Sequence, residues 1–271
     1  MTLRNDAHAR SLHLGVQCGD VDRGEGASTD DRINEGAFRV DIPRIFTVSE
    51  SAHRIHNPFS AQKLATLGAA LRMAPGTRVL DLGSGSGEML CTWARDHGIS
   101  GTGIDMSPLF TAQAQLRARE LGVADRVTFV HGDAAGYVAD EKVGVAACVG
   151  ATWIGGGVRG TIELLARSLQ HGGIILIGEP YWLQLPPSEE VAQGCRAHAI
   201  SDFLLLPDLV ASFGALNYDV VEMVLASQDS WDRTAGIALA SGRVELQIAA
   251  SALATRAWIR VTVAASSCSQ P

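Results

Sequence analysis

The 271-residue sequence predicts an α/β fold: a doubly wound, mostly parallel sheet (Rossmann-like) with helices on both faces. One observation is that short apolar segments alternate with segments of helical length, and the predicted strands lie near Val79, Thr102, Val127, Val143 and Ile174. The other is that the first strand runs into a turn with glycine at every second position, which is typical of nucleotide-binding turns. Because such sheets bind ligands at the carboxyl ends of their strands, we expect the functional site there.

The helices follow from apolar periodicity and from residues that favour helix ends. Leu64, Leu67 and Leu71 recur on one face of the first segment, and Gly98 and Gly122 stand where helices commonly end. The predicted helices span residues 60–71, 88–97, 108–121, 161–169 and 207–213, and a further strand spans residues 220–225.

Composition limits the class of protein. With 46% hydrophobic and 19% charged residues, the chain can bury one sizeable core. The net charge of −7 and the lack of a basic run argue against a nucleic-acid partner. Five cysteines without a C-x-x-C pair argue against a zinc site or a disulfide framework, so we expect no metal. No apolar run of 18 residues and no signal-like N-terminus are present, so we expect a cytoplasmic protein without a membrane partner.

The spacing of the first turn discriminates between cofactors. It reads Asp81-Leu82-Gly83-Ser84-Gly85-Ser86-Gly87-Glu88, whereas the dinucleotide fingerprint requires glycine at the sixth position counted from Gly83. Here the sixth position is Glu88, and a carboxylate at a helix N-terminus repels a pyrophosphate. The turn therefore favours a nucleoside ligand without phosphate, such as S-adenosylmethionine (SAM), and disfavours the alternative of an NAD-dependent oxidoreductase.

Three motifs together resemble the core of a class I SAM-dependent methyltransferase. They are the glycine turn, the segment Gly101-Thr102-Gly103-Ile104-Asp105-Met106-Ser107, and the segment Val127-Thr128-Phe129-Val130-His131-Gly132-Asp133-Ala134. The resemblance implies that Asp105 takes both ribose hydroxyls, that Asp133 lies beside the adenine amino group, and that Asp81 lies near the methionine end. It implies a cofactor site made of Asp81, Gly83, Ser84, Gly85, Gly87, Asp105, Met106, Asp133 and Ala134.

One of these roles also follows from the residues alone. Asp105 comes about twenty residues after the glycine turn, the distance at which one crossover helix returns a second strand beside the first. A carboxylate there can accept two ribose hydroxyls. The alternative is that Asp105 caps the next helix, although Ser107 and Pro108 already supply a helix start.

The sequence divides into three parts. Residues 1–42 are rich in Gly, Asp and Arg and predict a disordered N-terminal extension. The resemblance implies that residues 43–233 form the methyltransferase domain. Residues 234–271 are an atypical tail with ten alanines and one acid, Glu245. The resemblance implies a last antiparallel strand beside the strand near Val220, for which residues 258–263 are the local candidate. The alternative is a diverged or frame-shifted terminus.

The segment after the fourth strand bears on the acceptor. It contains no Asn/Asp-Pro-Pro-Tyr/Phe box, no Pro-Cys pair and no acidic cluster for magnesium. These absences favour a small-molecule methyl acceptor. The remaining alternative outside the enzymes is a SAM-binding protein whose altered C-terminus has removed the acceptor pocket.

Residues after the fourth and fifth strands are candidates for the acceptor side. Trp153, Tyr181 and Trp182 are expected on the substrate rim, although the two tryptophans could instead pack beneath loops. Glu179 directly follows an apolar strand and could hold the acceptor or accept its proton. The alternative for Glu179 is a structural hydrogen bond.

Histidines before the first helix are the second set of candidates. Residues 49–59 resemble the N-terminal lid of small-molecule methyltransferases, in which His53 or His56 could serve as a base. We expect His56 in that role and His53 on the substrate rim. The alternative for both is a capping or surface role. His131 lies inside the third strand, so we expect it to pack in the core.

Overall fold

The computed structural model describes residues 50–195, 197–227 and 229–230, and the backbone of residues 256–265. The helices are α1 (Ala61–Ala70), α2 (Glu88–His97), α3 (Pro108–Glu120), α4 (Val158–Ala166), α5 (Glu189–Gly194) and α6 (Leu206–Gly214). The strands are β1 (Arg78–Leu82), β2 (Ser100–Asp105), β3 (Val127–His131), β4 (Val143–Val149), β5 (Leu169–Trp182), β6 (Tyr218–Leu225) and β7 (Arg256–Ala265). Each predicted helix and strand is present, with ends displaced by at most three residues.

The seven strands form one sheet in the order β3-β2-β1-β4-β5-β7-β6. The first five are parallel, and β7 lies antiparallel between β5 and β6. Strand order reverses between β1 and β4, and this switch point places the carboxyl ends of β1, β2 and β4 around one crevice. The prediction of a doubly wound, mostly parallel sheet is confirmed.

Local sequence explains where the helices begin and end. The Ser60 hydroxyl accepts the Lys63 amide at the start of α1, and Ser107 does the same for Phe110, with Pro108 in the first helical position of α3. Gly98 ends α2 in the left-handed conformation, which glycine adopts without steric cost.

The sheet is buried on both faces, as a parallel sheet covered by helices must be. Alternate residues of each strand enter different cores: Leu80 and Cys148 pack with Leu165 of α4 on one face. Val79 and Ala147 pack with Trp93 of α2 on the other. Within the described part of the chain, no helix has the length and apolar character needed to cross a membrane.

Part of the C-terminal tail forms strand β7 of the sheet. Strand β7 pairs with β5 over nine residues, from Ile174↔Ala264 to Trp182↔Arg256, and also with β6. It includes residues 258–263, the local candidate for the expected antiparallel strand. The predicted N-terminal extension, residues 1–42, and the rest of the tail lie outside the described residues.

Candidate functional site

A cavity of ≈ 510 Å³ opens at the carboxyl ends of the parallel strands. Its volume is in the range of small-molecule and cofactor sites. Every residue predicted for the cofactor lines it, namely Asp81, Gly83, Ser84, Gly85, Gly87, Asp105, Met106, Asp133 and Ala134. His56 and Trp153 line the same cavity, whereas Glu179, His53, Tyr181 and Trp182 do not.

The backbone amides of the glycine turn donate hydrogen bonds to other groups of the protein. The amides of Gly83 and Ser84 both donate to the Ile104 carbonyl, at 2.8 and 3.1 Å, and the Gly87 amide donates to Ser84. The Gly85 amide donates to Asp105 Oδ2 at 2.7 Å. A phosphate-binding turn leaves such amides free for the anion. Because four of them are used internally, the turn suits a ligand without phosphate.

Asp105 joins the glycine turn to the end of β2. Its Oδ2 accepts the Gly85 amide and its Oδ1 accepts the Ser107 amide at 2.8 Å. Burial raises the pKa of Asp105, and these two backbone hydrogen bonds oppose that shift. Each carboxylate oxygen has a second lone pair, so the side chain can still accept two ribose hydroxyls. Its geometry therefore fits a nucleoside ribose.

The other two acids lie at the ends of neighbouring strands. Asp81 is buried at the end of β1, where it lines the cavity. Asp133 lies beyond β3, and its Oδ1 accepts the Ala135 amide at 2.8 Å, which fixes the loop beside the buried Ala134. The three acids thus lie at the carboxyl ends of β1, β2 and β3, in the order that an extended nucleoside with an amino-acid tail requires.

Glu88 is held by α3 at the start of α2. Arg117 Nε and Nη2 donate to the two Glu88 carboxylate oxygens, at 2.8 and 2.9 Å, in a bidentate pair. The predicted charge repulsion is therefore partly compensated by Arg117. The position is nevertheless occupied by a carboxylate where a dinucleotide site needs a glycine.

A lid segment, residues 50–59, lies against the glycine turn. A Cβ atom on Gly85, whose φ is +54°, would lie 2.7 Å from His56 Nδ1, so this glycine is required by the lid as well as by its backbone angle. Asn57 Nδ2 also contacts the Val149 carbonyl at 3.4 Å. The lid thus touches the ends of both β1 and β4.

His56 is partly buried and is fixed on three sides. Its Nε2 lies 2.8 Å from Ser86 Oγ, and its ring packs against Phe110 with centroids 4.3 Å apart. Desolvation lowers the pKa of His56 to about 4, and the nearby His53 adds to this shift. A hydrogen bond to the His53 backbone opposes it. The ring is therefore neutral at physiological pH.

His53 lies on the other side of the lid. It is buried and pairs through Nδ1 with Glu50 Oε2 at 2.7 Å. It lines a smaller adjoining cavity of ≈ 250 Å³ together with Ser86 and Gln113. The expectation that His53 lies on the rim of the cofactor cavity is wrong, because the lid turns this side chain away from that cavity.

Trp153 and Glu179 are connected through one short turn. Thr152 Oγ1 donates to the buried Glu179 Oε2 at 2.6 Å, and Thr161 Oγ1 donates to the Thr152 carbonyl at 2.7 Å. The 3₁₀ turn Thr152–Gly155 then presents Trp153, 60% exposed, and Ile154 to the cavity. The geometry thus favours the structural alternative for Glu179.

Two expected rim residues are buried instead. Tyr181 is 3% exposed and belongs to the core beneath α4, and Trp182 is fully buried. The Trp182 indole N–H donates to the Ile200 carbonyl at 2.8 Å, and its ring packs edge-on against Phe203. The expectation for both is wrong, because β5 continues four residues beyond the end of β4 and is covered by the following segment.

His131 also differs from expectation. Its side chain is exposed, and its Nε2 lies 3.1 Å from the Met106 carbonyl. The reason is that β3 lies at the edge of the sheet formed by the described strands. Of the described cysteines, Cys91 and Cys148 are buried, and burial raises the pKa of both thiols, that of Cys91 to about 12. No cluster of His, Cys, Asp or Glu among the described residues could hold a metal ion.

Several cavity residues were missed from the sequence. Arg54 and Asn57 come from the lid, Phe110 from α3, and Ala151 and Ile154 from the turn after β4. The position of Ala151 just after a strand, at the edge of the sheet that binds ligands, is a sequence feature that could have identified it as a cavity residue. The position of Phe110 depends on how α3 packs, which no local pattern specifies.

The chain is similar in sequence to a known protein family and to a protein of Escherichia coli. The family model described as "Methyltransferase domain" matches residues 79–173. The uncharacterized protein YjhP of Escherichia coli (strain K12) is 73% identical over 194 residues, which cover 72% of this chain and 78% of YjhP.

Solved structures agree with the sequence comparison. A SAM-dependent methyltransferase from Geobacter sulfurreducens, crystallised with S-adenosyl-L-homocysteine (SAH), is 66% identical with a TM-score of 0.76, covering 82% of this chain and 98% of that one. A SAM-dependent methyltransferase from Thiobacillus denitrificans, also with SAH, is 60% identical with a TM-score of 0.78, covering 83% and 99%.

Proposed function

We propose that this protein transfers a methyl group from SAM to a small molecule. The premise is that the chain belongs to the class I SAM-dependent methyltransferases. It is an enzyme whose cofactor is SAM. The observation that carries the proposal is the apolar part of the cavity lining, which Phe110, Trp153 and Ile154 supply beside the lid.

The residues present fit the cofactor. Asp105 would take the ribose hydroxyls, Asp133 and Ala134 would flank the adenine, and Asp81 would lie near the methionine end. The glycine turn would support the cofactor with Gly83, Ser84, Gly85 and Gly87, and Met106 would line the adenosyl part. When bound, SAM supplies an electrophilic methyl group on a sulfonium.

The acceptor side has to orient a nucleophile and exclude water. Phe110, Trp153 and Ile154 give this side its apolar surface. Among the described residues that line the cavity, Arg54 is the one cation, against the carboxylates of Asp81, Glu88, Asp105 and Asp133. This balance supports a neutral or cationic acceptor of modest size rather than a polyanion such as nucleic acid.

His56 is the proposed catalytic residue on this side. It lines the cavity and is neutral at physiological pH, so it has a lone pair that can take a proton or a hydrogen bond from the acceptor. For Glu179 we propose an indirect part, in which it holds Thr152 and thereby the turn that carries Trp153.

The two alternative functions, an NAD-dependent oxidoreductase and a non-catalytic SAM-binding protein, would each require a different site. An NAD-dependent oxidoreductase would need free backbone amides at the glycine turn, and four of these amides are used internally. A SAM-binding protein without acceptor chemistry would lack an acceptor side, whereas this cavity continues beyond the cofactor residues. The cysteine pattern supports a cytoplasmic enzyme.

Calorimetry and a transfer screen test the proposal. SAM and SAH should bind and NAD should not, and comparable affinity for NAD would contradict the cofactor assignment. Labelled methyl groups should then appear on members of a panel of small amines, hydroxyl compounds and carbon acids. Label found only on protein or nucleic acid in a parallel panel would overturn the small-molecule acceptor.

A further inference from the structure

The lid places one arginine at the cofactor cavity. Arg54 lines this cavity and also the smaller adjoining one, and 47% of its side chain is exposed. Its guanidinium forms ion pairs with Glu88 at 4.0 Å and with Glu120 at 3.8 Å. Both distances are longer than a hydrogen bond. The N–H donors of Arg54 are therefore available to a ligand.

A second arginine, Arg117 of α3, holds the same two acids more closely. It donates to both carboxylate oxygens of Glu88, at 2.8 and 2.9 Å, and to Glu120 Oε2 at 3.1 Å. A bidentate pair with hydrogen bonds is stronger than an ion pair at 4 Å without them. Because Arg117 satisfies these acids, Arg54 can turn from them to a ligand at little cost.

The cofactor carries a group that needs a cation. The methionine part of SAM ends in a carboxylate and an ammonium group, and a carboxylate that leaves water has to be paired. The described lining of the cavity holds four carboxylates, and Arg54 is its one cation, since His56 is neutral at physiological pH. The start of α2 is the other place for an anion, but Glu88 occupies the first position of that helix.

We propose that Arg54 binds the carboxylate of the methionine part of SAM, and that Arg117 is a positioning residue that keeps Glu88 and Glu120 from competing for Arg54. Arg54 is thus a lid residue that belongs to the cofactor side of the cavity. With Arg54 engaged, the described lining has no cation left for an anionic acceptor. The inference rests on the cofactor and not on the identity of the acceptor.

Calorimetry with two ligands isolates the carboxylate. SAH and decarboxylated SAH share the adenosine, the sulfur and the ammonium group, and they differ in the one carboxylate. The wild type should bind SAH about tenfold more tightly, because hydrogen bonds to a charged group are gained while solvent screens the half-exposed guanidinium. Equal affinities for the two ligands would overturn the inference.

Variants of Arg54 identify the partner of the carboxylate. In Arg54→Gln, the affinity for SAH should fall about tenfold, whereas the affinity for decarboxylated SAH should not change. Arg54→Lys keeps the charge but not the planar fork, so it should retain part of the preference for SAH. The matched control is Arg159→Gln, which removes an exposed ion pair with Glu163 on α4, outside the cavity. It should change neither affinity.

Two results with Arg54→Gln would contradict the assignment. An unchanged SAH affinity would show that the carboxylate binds backbone amides at the start of α2 instead. Equal losses for both ligands would show that Arg54 acts only by holding the lid. A cooperative thermal melt shows that the variant is folded, and the wild-type comparison of the two ligands decides the question if it is not.

The role of Arg117 has a separate test. Arg117→Leu removes the close partner of Glu88 and Glu120, so both acids should draw Arg54 away from the carboxylate. The affinity for SAH should fall several-fold while that for decarboxylated SAH does not, a selective loss that a structural defect would not produce. Arg117→Lys, which loses the bidentate pair, replaces a leucine variant that does not fold.

A second substitution and a control complete this test. Adding Glu88→Gln to Arg117→Leu removes one competing charge and should restore part of the affinity for SAH. Arg119→Leu, at an exposed position of the same helix, should leave both affinities unchanged. A preference for SAH as large in Arg117→Leu as in the wild type would overturn the positioning role.

Discussion

The cofactor side and the acceptor side of the cavity differ in what fixes their geometry. On the cofactor side, strand ends and backbone amides determine the site: Asp105 links two turns through the Gly85 and Ser107 amides. On the acceptor side, side chains from separate segments determine it, since the lid contacts α3 through Gln113 and the Thr152–Gly155 turn depends on Glu179. The sheet therefore fixes the geometry of the cofactor side, whereas long-range side-chain contacts fix the geometry of the acceptor side.

This difference predicts which side tolerates change. A substitution on the cofactor side should reduce SAM affinity directly. A substitution on the acceptor side should leave SAM affinity nearly constant and change turnover, because it alters contacts made only with the acceptor.

The largest effect should come from removing β7, which supports the acceptor side. Beyond the Val149↔Gly178 pair, β5 has no further partner in β4, and Glu179 pairs with β7 at Ile259. Deleting residues 256–271 removes this partner and separates β6 from the sheet. The loss should exceed the roughly 5–15 kcal/mol by which a domain is stable, so thermal melts should lose their cooperative transition. A truncation of residues 266–271 alone is the control. A cooperative melt in the longer truncation would show that the site does not depend on β7.

The next effect concerns the pH dependence of stability at the lid. The pKa of His56 is about 4 in the folded protein, against 6.5 for an unperturbed histidine, so the unfolded state binds the proton first as pH falls. The free energy of unfolding should therefore decrease between about pH 6.5 and pH 4, by up to about 3 kcal/mol. Above about pH 6.5, the free energy of unfolding should no longer change with pH because of His56.

Urea unfolding at several pH values measures this contribution. The His56→Gln protein should lose this part of the pH slope, whereas His171→Gln, at an exposed position of β5, should retain it. Equal slopes in the wild type and His56→Gln would mean that His56 is as well solvated as in the unfolded chain.

A third prediction tests the cofactor side. Asp105→Ala should weaken SAM and SAH binding by about 1.5–3 kcal/mol, because hydrogen bonds to a charged group are lost. Calorimetry measures this change, with Asp140→Ala, an exposed carboxylate that does not line the cavity, as the control. If the affinity is unchanged, Asp105 only joins the two turns and the ribose binds elsewhere.

The same difference explains what could be predicted from the sequence. Asp81 and Asp105 lie at the ends of β1 and β2, and Asp133 lies two residues beyond β3, so the local pattern of an apolar segment with an acid at its end predicts them at one edge of the sheet. Tyr181 and Trp182 also come after an apolar segment, but their burial depends on how far β5 extends past β4 and on what covers it.

The acceptor side was correspondingly harder to predict. The contact of Gln113 with Ser86 and Ser51 joins residues 27 and 62 positions apart in the chain. It depends on the packing of α3 against the lid, for which hydrophobic periodicity carries no information. Likewise, the exposure of His131 follows from the order of strands and not from the sequence of β3.

The smallest effect on stability, and the sharpest test of the comparison, is expected at Trp153. Its side chain is 60% exposed, so Trp153→Ala should change the free energy of unfolding by only about 0.5 kcal/mol. It should leave SAM affinity unchanged and raise the KM for the acceptor, because an aromatic surface at the cavity mouth is lost. Leu183→Ala, an exposed apolar residue just after β5 that does not line the cavity, is the control and should change neither constant. If Trp153→Ala weakens SAM binding as much as it raises the acceptor KM, the two sides of the cavity are not separable, and Trp153 belongs to the cofactor site.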